Sequence, residues 1–130
     1  MDHPVTAEGA SRGTVLVVDD DADALNLFSD ILADEGYDYI LTKSFDQAEE
    51  VVRQRQVRVV VADCVGNPRN LVRLTGLQRL RRVRPGLRVI LCTACWVTRT
   101  IDPKGEGLFD IVERPFDIAT LVVAIQRALN

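Results

Sequence analysis

The chain has 130 residues, of which 47% are hydrophobic and 27% charged, and carries a formal net charge of −3. That is enough apolar material for one globular domain with a buried core, and too little length for a second. No apolar run reaches membrane-spanning length and residues 1–13 lack the apolar middle of a secretion signal, so a cytoplasmic protein is expected, with residues 1–13 a disordered lead-in to a domain over residues 14–130.

Residues 14–18 form a β-branched run that predicts a buried strand. A helix is expected over 22–35, because Leu25, Phe28, Ile31 and Leu32 share one face and Gly36 provides a natural stop. A second strand follows at 38–41, and a second helix opens at Ser44, with Gln47 completing a capping box, and runs to about residue 54. Strand 58–62 leads to a helix over 71–83 that ends before Pro85-Gly86, and strand 87–92 follows. Residues 96–108 mix β-branched side chains with Pro103, Gly105 and Gly107, which predicts a short or irregular fourth crossover element. A last strand at 110–112 precedes a helix after Pro115-Phe116-Asp117 that buries Ile118, Leu121, Val122, Ile125 and Leu129. Five strands joined by four crossovers predict an α/β protein with a doubly wound, five-stranded parallel sheet.

Charge is unevenly spread. Between Asp63 and Asp102 there is no acid but there are eight arginines: Arg69, Arg73, Arg79, Arg81, Arg82, Arg84, Arg88 and Arg99. They fit a solvated helix face that pairs with acids elsewhere, or a surface for an acidic partner. Too few aromatics accompany them for base stacking, and direct nucleic-acid binding is not expected. The only histidine, His3, falls in the lead-in, which leaves the fold no imidazole for a triad or a zinc site. Cys92 and Cys95 have a Cys-x-x-Cys spacing and Cys64 is a third thiol, but three thiols without histidine make a poor zinc set. Small buried side chains are the expected role in a reducing compartment.

Asp19, Asp20 and Asp21 end the first strand abruptly. Two carboxylates about 5 Å apart repel by roughly 3 kcal/mol at an effective dielectric near 20. A hard cation such as Mg²⁺ offsets that repulsion, or else Asp20 and Asp21 cap the following helix; both readings are open from this segment. Ligands of such sheets bind beyond the carboxyl ends of the strands, where Asp19, Asp20, Asp63, Thr93 and Arg114 all fall. Together they supply anions for a metal, a nucleophilic carboxylate, a hydroxyl and a cation, a complete set for phosphoryl transfer.

This ordered set, from about residue 14 to residue 130, resembles the receiver domains of two-component response regulators, which have a flavodoxin-like fold. The acidic pair after the family's first strand matches Asp19-Asp20, its phosphoacceptor aspartate matches Asp63, its hydroxyl after the fourth strand matches Thr93-Ala94, and its Lys-Pro-Phe appears as Arg114-Pro115-Phe116. The resemblance implies that Mg²⁺ is held by Asp20, Asp63 and the backbone carbonyl of Val65, with Asp19 acting through water. It also implies that Asp63 takes a phosphoryl group from a histidine kinase or histidine phosphotransfer protein. Mg²⁺, Thr93 and Arg114 would then stabilise the acyl phosphate, and a remodelled surface would engage a downstream protein target. On that reading the chain is no enzyme, and is either a stand-alone receiver or part of a longer regulator.

Several departures shape the expectation. Arg114 replaces a lysine, and a planar forked guanidinium grips phosphate, or a resting Asp63, differently from an ammonium. Cys64-Val65-Gly66-Asn67-Pro68 replaces the family's Met-Pro and predicts an extended loop before Gly76. Ile111 stands where the family commonly carries a switch aromatic, with Trp96 as a candidate substitute, and the irregular fourth crossover predicts a monomer or an atypical dimer. Val65 and Cys95 offer no charged group to orient water, so slow self-dephosphorylation is expected. The rival readings are a degenerate receiver whose Arg114 permanently neutralises Asp63, a haloacid-dehalogenase-type phosphatase built on Asp19-Asp20-Asp21, and a thiol-redox module. The phosphatase lacks a suitable later lysine and acidic pair among Lys104, Glu106 and Asp110.

Overall fold

The computed structural model describes residues 5–7, 14–64, 71–94, 108–114 and 117–130, with 5–7, 63–64, 71–75, 93–94 and 113–114 described by their backbone. Strands β1 (Val5–Ala7), β2 (Thr14–Val18), β3 (Asp38–Thr42), β4 (Val59–Cys64), β5 (Arg88–Ala94) and β6 (Asp110–Arg114) form one sheet in the order β1-β3-β2-β4-β5-β6. Strands β2 to β6 are parallel, in the expected doubly wound arrangement. The described helices are α1 (Ala22–Asp34), α2 (Phe45–Gln54), α3 (Leu71–Val83) and α4 (Ile118–Leu129).

β1 corrects the expectation that residues 1–13 are disordered throughout. Val5, Thr6 and Ala7 pair antiparallel with Leu41, Ile40 and Tyr39. A β-branched pair of residues is sufficient to occupy the open hydrogen-bonding edge of β3. The sheet therefore has a sixth, antiparallel strand beside the five that were expected.

The strands alternate cleanly between two cores, as period-2 geometry requires. Val15, Val17, Val59, Val61, Ile90 and Cys92 join Leu25, Phe28 and Leu32 of α1 and Leu121 and Ile125 of α4 on one face. Leu16, Val18, Val60, Ala62, Val89 and Leu91 join Ala48, Val51 and Val52 of α2 and Leu77 and Leu80 of α3 on the other. Helix starts follow the sequence closely: the Ser44 hydroxyl accepts the Gln47 N–H at 3.1 Å while Gln47 Oε1 accepts the Lys43 N–H at 2.8 Å. Gly36, in the left-handed region at φ 76°, closes α1 as expected.

Two further expectations are corrected. Ile118 opens α4 with 53% of its surface exposed instead of joining the core, because as the first helical residue it precedes the inward stripe of Leu121, Val122 and Ile125. Strands β4, β5 and β6 each run about two residues farther at their carboxyl ends than the apolar runs suggest, since backbone pairing continues through Asp63↔Cys92, Thr93↔Glu113 and Ala94↔Arg114. The fourth crossover over 95–107 lies outside the described residues, as does the loop over 65–70.

The arginine-rich stretch is partly absorbed by pairing within the fold. Arg79 of α3 reaches Glu49 at 2.8 Å and Asp46 at 3.4 Å on α2. No described helix is long and apolar enough to cross a membrane.

Candidate functional site at the carboxyl edge of the sheet

The apolar segment Val15 to Val18 carries β2 through the middle of the sheet and delivers Asp19 to its end, where the residue is 0% exposed. A buried carboxylate is tolerated only where its charge is met by hydrogen bonds or counter-charge. Part of that need is met locally, since Asp19 Oδ1 accepts the Asp21 N–H at 2.9 Å. Its backbone N–H donates to the Thr42 carbonyl at 3.0 Å, and the buried Thr42 hydroxyl donates to the Val17 carbonyl at 2.8 Å. Thr42 thus clamps the ends of β2 and β3 together and fixes where Asp19 stands. Sequence reasoning missed this role; the available signal was a hydroxyl ending the otherwise apolar Ile40-Leu41.

The two readings of the acidic triplet now divide by residue. Asp21 is the helix cap, with extended backbone and Oδ1 accepting the Asp23 N–H at 3.1 Å. Asp20 is exposed at the same edge. One buried and one exposed carboxylate, consecutive in sequence, form an oxygen donor set suited to a hard divalent cation. Mg²⁺ therefore fits the chemistry of these residues. Among the described residues no three His, Cys, Asp or Glu side chains already converge on a common point, the side chain of Asp63 lying outside them.

Strand register brings the remaining candidates to this edge. Val18 pairs with Ala62, so Asp19 and Asp63 follow on adjacent strands at the same height. Thr93 pairs with Cys64, one residue beyond Asp63, and Arg114 pairs with Ala94, one residue farther still. With neighbouring strands roughly 5 Å apart and about 3.3 Å per residue along each strand, these four backbones lie within one small patch. Val65, Cys95 and Trp96 lie outside the described residues. Ile111 is half-buried against the core on the α2 and α3 face. Cys92 is fully buried in the opposite core and packs as a small apolar side chain.

Comparison with known proteins agrees with this geometry. The family model described as the response regulator receiver domain matches residues 15–126. The DNA-binding transcriptional regulator NtrC of Bradyrhizobium sp. (strain RP501 Parasponia) is 31% identical over 118 residues, covering 90% of this chain and 24% of that protein. The nitrogen assimilation regulatory protein NtrX of Azorhizobium caulinodans is 29% identical over 117 residues, covering 89% of this chain and 26% of its own length. The chain thus spans about a quarter of these curated relatives. A CheY-like response regulator receiver domain from Methanospirillum hungatei JF-1 superposes with a TM-score of 0.78 at 21% identity, covering 92% of this chain and 94% of that one.

Proposed function

The chain belongs to the response regulator receiver family of two-component signalling, and from that premise we propose that Asp63 is its phosphoacceptor. The observation that carries the reading is the register that aligns Asp19 with Asp63 and sets Thr93 and Arg114 one and two residues beyond them. The donor is a phosphohistidine on a histidine kinase or histidine phosphotransfer protein. An Asp63 carboxylate oxygen forms a bond to phosphorus as the bond from phosphorus to the imidazole nitrogen breaks; the electron pair stays on that nitrogen, which takes up a proton. The chain gains a group with roughly two negative charges and is a stoichiometric acceptor, not an enzyme that turns substrate over.

Asp20, Asp63 and the Val65 carbonyl would hold Mg²⁺, with Asp19 behind them through water. When bound, the ion supplies positive charge to the transferring oxygens. Asp19, immobilised by the Asp21 N–H and by the Thr42 clamp, keeps the acidic pair in place without rearrangement. The Thr93 hydroxyl donates to the phosphoryl group, and Arg114 offers two parallel N–H donors where the family lysine offers a single ammonium. The cytoplasm is the compartment in which such a donor is met, and a downstream protein target reads the altered surface.

Incubation with acetyl phosphate and Mg²⁺ followed by intact mass measurement tests the reading. The wild type is expected to gain a single phosphoryl group, which is absent with EDTA and absent in Asp63→Asn. A wild-type chain that gains none, while remaining folded by circular dichroism, would overturn it in favour of a phosphorylation-independent binding module.

A further inference from the structure

At the opposite, amino-terminal edge of the sheet, the exposed Arg58 and the half-buried Arg84 and Arg88 line an open cleft of about 270 Å³ together with Val57, Gly86 and Ala128. Arg58 directly precedes β4 and Asp63 lies five residues along the chain from it, so the cleft is about 16 Å from the acidic edge.

Each guanidinium is anchored through one terminal nitrogen. Arg58 Nη2 donates to the Leu129 carbonyl, at 2.6 Å, and Arg88 Nη1 donates to the carbonyls of Ala128 and Arg127, at 2.9 and 3.3 Å. Arg84 Nη2 donates to the carbonyls of Val52 and Arg55, at 2.9 and 3.1 Å. The Phe109 ring, 5.2 Å from the Arg88 guanidinium, holds that side chain from another direction. Among the described residues none of the three pairs with a carboxylate, and Arg84 Nε is buried without a hydrogen-bond partner.

Carbonyl capping accounts for only part of this charge. The carboxyl ends of α2 and α4 each present about half a negative charge, less than the three guanidiniums carry, which leaves the cleft cationic. Its volume falls below the roughly 300 Å³ at which pockets for drug-sized ligands begin. Forked guanidiniums match phosphate oxygens in geometry as well as in charge. We propose that this cleft is a second anion site, distinct from the acidic edge, which takes a small soluble phosphate or diphosphate anion between Arg58, Arg84 and Arg88.

Gly86 permits a test that leaves the arginine caps untouched. A Cβ added there meets nothing within 4 Å, and the backbone is not in the left-handed region, so side chains are accommodated. Calorimetric titration with inorganic pyrophosphate, in EDTA and at constant ionic strength, is expected to show one site in the wild type and the same site in Asp63→Asn. Gly86→Asp, which places a negative charge in the lining of the cleft, is expected to weaken binding by about tenfold or more, whereas Gly86→Ser changes it by about threefold or less. Absence of pyrophosphate binding to the wild type, or equal binding by Gly86→Asp, would overturn the site. Retention of the wild type on phosphatidate vesicles without binding to free pyrophosphate would overturn it in favour of a flat, membrane-facing basic surface.

Discussion

Asp20 and Asp21 are consecutive carboxylates whose surroundings assign them different work, and substitution separates the two. Asp21 accepts an otherwise unsatisfied N–H in the first turn of α1, and removal of such a cap costs about 1 kcal/mol. Asp20 is exposed, and Asp20→Ala is expected to cost no more than removal of the Asp21 cap. On the proposed assignment Mg²⁺ affinity is expected to move the other way, lost in Asp20→Ala and kept in Asp21→Ala. Urea denaturation with Mg²⁺ titration followed by tryptophan fluorescence reads both quantities. If Asp21→Ala lost the metal, or Asp20→Ala the helix, the division of labour drawn here would be wrong.

Packing between helices α2 and α3 explains a residue that local propensity disfavours. Gly76 lies inside α3, where glycine costs about 1 kcal/mol relative to alanine. A Cβ at that position would lie 2.6 Å from the Phe45 ring of α2, and steric overpacking of this kind costs about 1–3 kcal/mol. The clash outweighs the gain in helix propensity. Gly76→Ala is therefore expected to lower the urea midpoint, whereas in a Phe45→Ala background, which lacks the Cγ and Cδ atoms that the added Cβ would meet, the same substitution should cost little further; an unchanged midpoint in the single variant would show that the ring yields freely. Gly76 also marks the limit of what the chain discloses about itself. The number of parallel strands and their succession along the chain, the Ser44 cap and the Gly36 stop were all legible, because each depends on periodicity or on a residue's own backbone chemistry. The closeness of Gly76 to Phe45 and the Thr42 clamp were not, since both arise between segments distant in sequence. The same holds for the carboxyl edge. The residue types at 19, 20, 63, 93 and 114 suggested phosphoryl chemistry, but the level of Asp19 with Asp63 and the one- and two-residue offsets of Thr93 and Arg114 depend on cross-strand register, which no single strand encodes.

Among the described residues Asp19 and Asp20 follow the carboxyl end of β2 while Arg58, Arg84 and Arg88 gather at the amino-terminal end of the sheet, and one lateral edge of that sheet is covered by its own chain. β3 would be an edge strand without β1, and its sequence Asp-Tyr-Ile-Leu-Thr contains neither the lysine nor the proline with which proteins commonly blunt an exposed edge. β1 performs that function by pairing Val5, Thr6 and Ala7 against it. The apolar side chains of Ile40 and Leu41 are already buried in the two cores, so what β1 protects is backbone, a row of N–H and C=O groups available to any other strand. Removal of residues 1–13 should accordingly leave the domain folded but open to association along β3, with an apparent mass by light scattering that rises with concentration more steeply than that of the full chain. A chain with both Val5 and Thr6 replaced by proline reaches the same state without truncation, because alternate residues of an antiparallel strand donate to the partner, so one of these two neighbours does, and proline cannot. Both variants with unchanged mass and unchanged amide exchange in β3 would show that the strand contributes no protection, and that the edge is kept apart by charge alone.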